Sequence, residues 1–129
     1  MQTSKVSSGM LLVALLAVIK VLLHVFVGVT TEYGMFRDEF YYLACADHLA
    51  WGYVDHPPLS IAVLAGWKAI FGDSLLSLRW LAALFGGAVV FAAGRLAAML
   101  SSSRWVPVLT ALAVFAAPGF LGVHGFYSM

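Results

Sequence analysis

The chain has 129 residues, of which 63% are hydrophobic and 10% charged, with a mean hydropathy of +0.97 and a formal net charge of +1. Soluble domains carry roughly 25% charged residues, so this chain has too few to cover a water-facing surface, and its expected solvent is lipid. A net charge near zero excludes the basic patch of a nucleic-acid binder, and a single cysteine, Cys45, excludes an internal disulfide.

In chain order, the first apolar run covers residues 9–30 and is long enough for a spanning helix, which needs about 20 residues. Lys20 and His24 interrupt it four residues apart, on one helical face that is expected to pack inside a bundle. The run lacks a small-residue cleavage site and fits a signal anchor.

All six acidic residues follow within residues 32–73. Asp38 is placed to cap a helix over residues 38–51, with Glu39 in its first turn, where negative charge meets the positive end of the helix dipole. On that helix Phe40, Leu43, Ala44 and Trp51 form an apolar face, and Asp38, Tyr41, Tyr42, Cys45 and His48 form the other. This is the pattern of an amphipathic helix lying along a membrane surface, ended by Gly52. Asp55-His56-Pro57-Pro58 then stiffens the return, and the Pro pair permits a helix to start after it. That next apolar run, to residue 72, is too short for a full span and reads as an interfacial helix over 58–72.

Residues 75–100 form a second span and residues 105–123 a third, with Pro118-Gly119 expected to kink or end the last one. With the 58–72 helix on the outer side, Lys5, Arg95 and Arg104 fall on the inner face. The N-terminus is then cytoplasmic and the loop over 31–74, with all the carboxylates, is periplasmic. The fold class is therefore all-α integral membrane: three spans plus a long outer loop with juxtamembrane helices, in a multi-pass protein of the cell (inner) membrane. Polar groups gathered at membrane spans are a site by default. On the residues alone, however, Asp38 is equally an N-cap and His56-Pro57-Pro58 a turn.

The strings Arg37-Asp38-Glu39-Phe40-Tyr41-Tyr42, Gly52-Tyr53-Val54-Asp55-His56-Pro57-Pro58-Leu59 and Phe71-Gly72-Asp73-Ser74 with Arg79 together resemble the start of a particular family. It is that of the dolichyl-phosphate-mannose-protein mannosyltransferase-like, or aminoarabinose-transferase-like, membrane glycosyltransferases of the GT-C fold. The resemblance covers roughly residues 10–129, the N-terminal portion of such enzymes. It implies transfer of a sugar, with inversion, from a polyprenyl-phosphate donor to a lipid, glycan or protein acceptor outside the cytoplasm, among membrane lipid. It implies Asp38 as catalytic base with Glu39 beside it. It implies Arg37, Tyr41, Tyr42, His56, Pro57 and Pro58 in substrate binding, and a candidate divalent cation held by Asp38, Asp55 and His56, with His48 near. As an N-terminal segment the chain is expected to be inactive alone. The alternatives are a small non-catalytic membrane protein or assembly subunit, and a transporter fragment. The transporter is disfavoured because the acidic residues lie outside the spans.

Overall fold

A computed structural model describes residues 2–31, 34–125 and 127, with side chains from residue 8 onward. It is helical, with no strand among the described residues. Helix α1 runs Gln2–Thr30, α2 Arg37–Asp47, α3 Pro58–Phe71, α4 Leu75–Leu100, α5 Trp105–Ala116 and α6 Pro118–Val123.

Two helices are long and apolar enough to cross a membrane: Ser8–Thr30 within α1, of 23 residues, and α4, of 26 residues. At 1.5 Å per residue they reach roughly 35 and 39 Å, more than the ~30 Å hydrocarbon core. The third expected span is divided. Pro118 lacks an N–H and holds the residue before it out of the helical region, and Ala117 is extended at φ −63°, ψ 123°. What remains of α5 is 12 residues, about 18 Å, which is short of the core by itself.

Helices α1, α4 and α5 nevertheless pack together, around Val13, Ala17, Val90 and Ala111. Small residues allow the close approach, as they do between helices that gain nothing from excluding water. A Cβ on Gly87 would stand 2.6 Å from Val21 Cγ2, and one on Gly94 would overlap Val13. Gly9, near the start of α1, lies against the Arg104 carbonyl, so the α4–α5 connection sits at the same end as the α1 start.

At the opposite end α2 and α3 form a small layer over the start of α4. Its core joins Tyr42, Cys45 and Ala46 of α2, Ile61 and Leu64 of α3, Leu78 and Leu81 of α4, and Tyr127. The Trp67 indole N–H donates to Ser77, and the Lys68 ammonium meets Asp47 at 2.7 Å. Helix α3 follows the sequence reading closely, with Pro58 at its first turn and Gly72 after its end at φ 78°.

Helix α2 departs from the reading in two ways. It stops at Asp47, short of the expected residue 51, because the Tyr53 hydroxyl accepts from the Ala50 N–H and stands 3.2 and 3.0 Å from the Cys45 and His48 carbonyls. This side chain takes up the free backbone groups that Gly52 was expected to manage. Its buried face is also not the predicted one: Glu39, Tyr42, Cys45 and Ala46 point inward, while Phe40 is exposed and Trp51, beyond the helix, is 99% exposed.

Candidate functional site

The N-cap of α2 is Phe36, not Asp38, which stands in the first turn instead. The cap is made by Glu39, whose Oε2 accepts from the Phe36 N–H at 2.7 Å, one half of a capping box. Its other oxygen, Oε1, accepts from the Arg79 guanidinium and from the Tyr127 N–H, each at 3.0 Å. Arg79 donates in addition to the carbonyls of Gly34, at 3.1 Å, and Gly125, at 2.9 Å. Glu39 is 1% and Arg79 5% exposed. Both charges are thus compensated and hydrogen-bonded, the condition under which buried ions persist. Glu39, which the resemblance grouped with Asp38 at the reaction centre, is placed as a support inside the protein.

Asp38 is different. Its side chain is 43% exposed, and its nearest cation is Arg37, with Nε 3.6 Å from Oδ1 and a side chain open to solvent. Neighbouring carboxylates on one turn have therefore separated: one is locked into the interior and the other is presented outward on a fixed backbone.

One turn further along α2, Tyr41 and Tyr42 meet the Asp55-His56 segment. The Tyr41 hydroxyl donates to Asp55 Oδ1 at 2.9 Å, and His56 Nε2 lies 3.3 Å from Asp55 Oδ2. The His56 ring packs between Tyr41 and Tyr42, with centroids 5.3 and 4.5 Å away. Hydrogen bonding to the Asp55 carboxylate, followed by desolvation, pushes the Tyr41 phenol up to about 12. Tyr42 also stands edge-on to Tyr127 at 5.6 Å, and the Tyr127 hydroxyl donates to the Ser60 carbonyl. Pro57 and Pro58 are exposed at the start of α3, where the Ser60 hydroxyl donates to the Pro57 carbonyl.

The structure thus brings Tyr41, Tyr42, Asp55 and His56 into one group, with Arg37 and Asp38 a turn away on the same helix. It does not assemble a metal centre: among the described residues no three His, Cys, Asp or Glu side chains gather as a metal-holding group. Asp55 and His56 are a pair, and His48 is exposed at the end of α2. Of the residues the resemblance implies for a divalent cation, Asp55 and His56 lie together and Asp38 lies elsewhere on α2. Beside this group lies an open apolar groove of about 520 Å³, lined by Leu49, Ala50, Trp51, Pro58, Leu59 and Ala62.

The organising roles of Arg79 and Tyr127 were not read from the sequence. Arg79 did carry a signal, because an arginine in the first turns of a spanning helix requires a partner. Tyr127 carried none. No family model, no curated protein and no solved structure matches this chain.

Proposed function

We propose that this chain is the N-terminal segment of an inverting glycosyltransferase of the membrane, moving a sugar from a polyprenyl-phosphate donor to an acceptor on the outer face. The reading begins from the resemblance of the Asp38-Glu39 and His56-Pro57-Pro58-Leu59 strings to GT-C enzymes. One observation supports it most: Asp38 is held half-exposed on a turn whose other carboxylate, Glu39, is fixed from three sides. A catalytic base needs such placement, a solvent-accessible carboxylate on a positioned backbone.

In this reading the acceptor hydroxyl gives its proton to Asp38 as its oxygen forms a bond to the anomeric carbon. The bond from that carbon to the donor phosphate oxygen breaks, and the lipid phosphate leaves with the electron pair. General base catalysis of this kind contributes typically ~10²–10⁴-fold. Arg37, exposed at the surface, is suited to the donor phosphate. The Tyr41–Tyr42–His56 rings offer faces for a sugar, and the Leu49–Leu59 groove an apolar strip beside them. The proposed topology has three spans, with α5 and α6 together crossing as the third and the α2–α3 layer on the periplasmic side.

The test is Asp38→Asn in the product of the complete reading frame, which keeps shape and removes the base. Transfer should fall by at least about 10²-fold with membrane insertion unchanged. Activity equal to wild type would remove Asp38 from this role.

A further inference from the structure

Helix α3 is apolar on two faces. Its inward face, Ile61 and Leu64, is buried in the core shared with α2 and α4. Its outward face is Leu59, Ala62, Val63, Gly66, Ala69 and Ile70, spaced three and four residues apart and all exposed. Leu59 and Ile70 are 74% and 75% open. A helix that is hydrophobic all round requires cover all round, and among the described residues nothing lies over this face. The apolar surface continues at both ends of the helix. Before it stand Leu49 and Trp51, which line the groove with Leu59 and Ala62, and the fully exposed Val54. After it come Leu76, Trp80 and Leu84, an exposed stripe on the membrane-length helix α4.

The polar side chains of α3 are turned elsewhere and satisfied inside the protein. The Ser60 hydroxyl donates to the Pro57 carbonyl and the Trp67 indole N–H to Ser77. The Lys68 ammonium is drawn aside to Asp47, with Asp73 at 4.0 Å. No side chain on the outward face therefore needs water, the condition for contact with hydrocarbon. Helix α2 is the opposite case: Arg37, Tyr41, Asp47 and His48 all stand exposed on its outward side.

We propose that α3 and the Leu49–Val54 loop form a membrane-docking surface, occupied by the acyl chains of the adjoining leaflet, while the outward side of α2 faces water. Three observations favour lipid as the occupant. The surface runs on into the exposed stripe of α4, a helix long and apolar enough to cross a membrane. It carries no charge with which to select a protein partner. Its most exposed aromatic residue is Trp51, whose ring type settles where hydrocarbon gives way to headgroups. A docked helix of this kind sinks about 5–10 Å into the boundary. The pattern of residues had put the lipid face on α2. The structure moves it to α3, because α2 turns Tyr42, Cys45 and Ala46 inward.

The consequence is a fixed level for Asp55 and His56. They lie in the chain between Trp51 and Pro58, both on the docking surface, so they are held near the headgroups. This inference needs no substrate and stands apart from the glycosyl-transfer reading.

The test places single nitroxide labels on the chain in phosphatidylcholine nanodiscs, a neutral bilayer that offers no charge attraction. Labels go on Val54→Cys, Leu59→Cys and Ile70→Cys, and for comparison on Arg37→Cys and His48→Cys, each with Cys45→Ala. Collisions with oxygen, which concentrates in hydrocarbon, are compared with collisions with a water-soluble nickel chelate. Oxygen should dominate at residues 54, 59 and 70, and nickel at residues 37 and 48. Dominance of nickel at the first group overturns the proposal. So does access by neither reagent, the result expected where a second copy of the chain or another protein covers the face. If a labelled variant fails to insert, tryptophan quenching by brominated phosphatidylcholine decides, with Trp51→Phe giving the Trp51 share. A quenched Trp51 supports the docking and an unquenched one overturns it.

Discussion

The Glu39 carboxylate and the Arg79 guanidinium meet at 3.0 Å across forty residues of sequence, and neither reaches solvent. Their contact fixes the first turn of α2 against the first turns of α4, and so fixes where Asp38 stands.

Removing one partner leaves the other buried and uncompensated, which typically costs ~3–5 kcal/mol. Arg79→Met and Glu39→Leu are each expected to lower the unfolding midpoint of the detergent-solubilised protein. The double apolar replacement Glu39→Leu with Arg79→Met is expected to recover much of the loss. Thermal unfolding of the two single variants and the pair, read as a double-mutant cycle, checks this; simple additivity would refute it.

The α1–α4 contact gives a second expectation. Gly94→Ala places a methyl group on Val13 and should destabilise by about 1–3 kcal/mol. Val13→Ala, combined with it, should restore part of that loss. If Gly94→Ala melts with wild type, the helices are not as close as described.

The Tyr41–Asp55 hydrogen bond has a pH signature. The phenol titrates at about 12 in the folded chain, against about 10 for free tyrosine. Its folded value is the higher one, so the contact contributes fully below about pH 10 and is lost as pH rises toward about 12. Tyrosinate absorbance should show two residues titrating late, Tyr41 and the buried Tyr127, and Asp55→Asn should bring only Tyr41 back toward the ordinary range. No change in Asp55→Asn would rule out the carboxylate as the cause.

Asp38 and Glu39 should separate by phenotype. Asp38→Asn is expected to leave the unfolding midpoint within ~0.5 kcal/mol of wild type, as for a surface change, while Glu39→Gln lowers it. Equal destabilisation by the two would contradict the placement of Asp38 at the surface.

Much of the helical frame was legible in the residues. Pro57-Pro58 announced the start of α3, and Ser74, whose hydroxyl accepts from the Ser77 N–H, opens α4. These are local signals, carried by single residues at helix starts. The orientation of α2 was not legible, because a partner forty residues away decided it. Counting apolar residues favoured Phe40 and Ala44 as the inward face, whereas the Arg79 guanidinium draws Glu39 inward and Tyr42, Cys45 and Ala46 follow. Pro118 marked the end of α5, yet nothing local to it tells that Lys20 would take up the Phe115 carbonyl left open there, or that His24 would reach Leu121 in α6. In the candidate site the residue types were legible and their pairing was not. Tyr41 to Asp55 and Asp55 to His56 are contacts set by the loop's return path, which Tyr53 directs from the end of α2.

Tyr127 closes the α2–α3 layer from far along the chain, its N–H donating to a carboxylate 88 residues earlier. At synthesis rates of about 5–20 residues per second, Glu39 emerges roughly 4–18 s before the amide it will bind. During that interval Arg79 arrives before Tyr127, so the turn bearing Asp38 acquires its full set of contacts only after residue 127 has been made. Crosslinking of ribosome-arrested chains of increasing length would date the step. Biogenesis thus imposes a chronology on this layer, in which an acidic turn waits for an aromatic residue made 88 positions later.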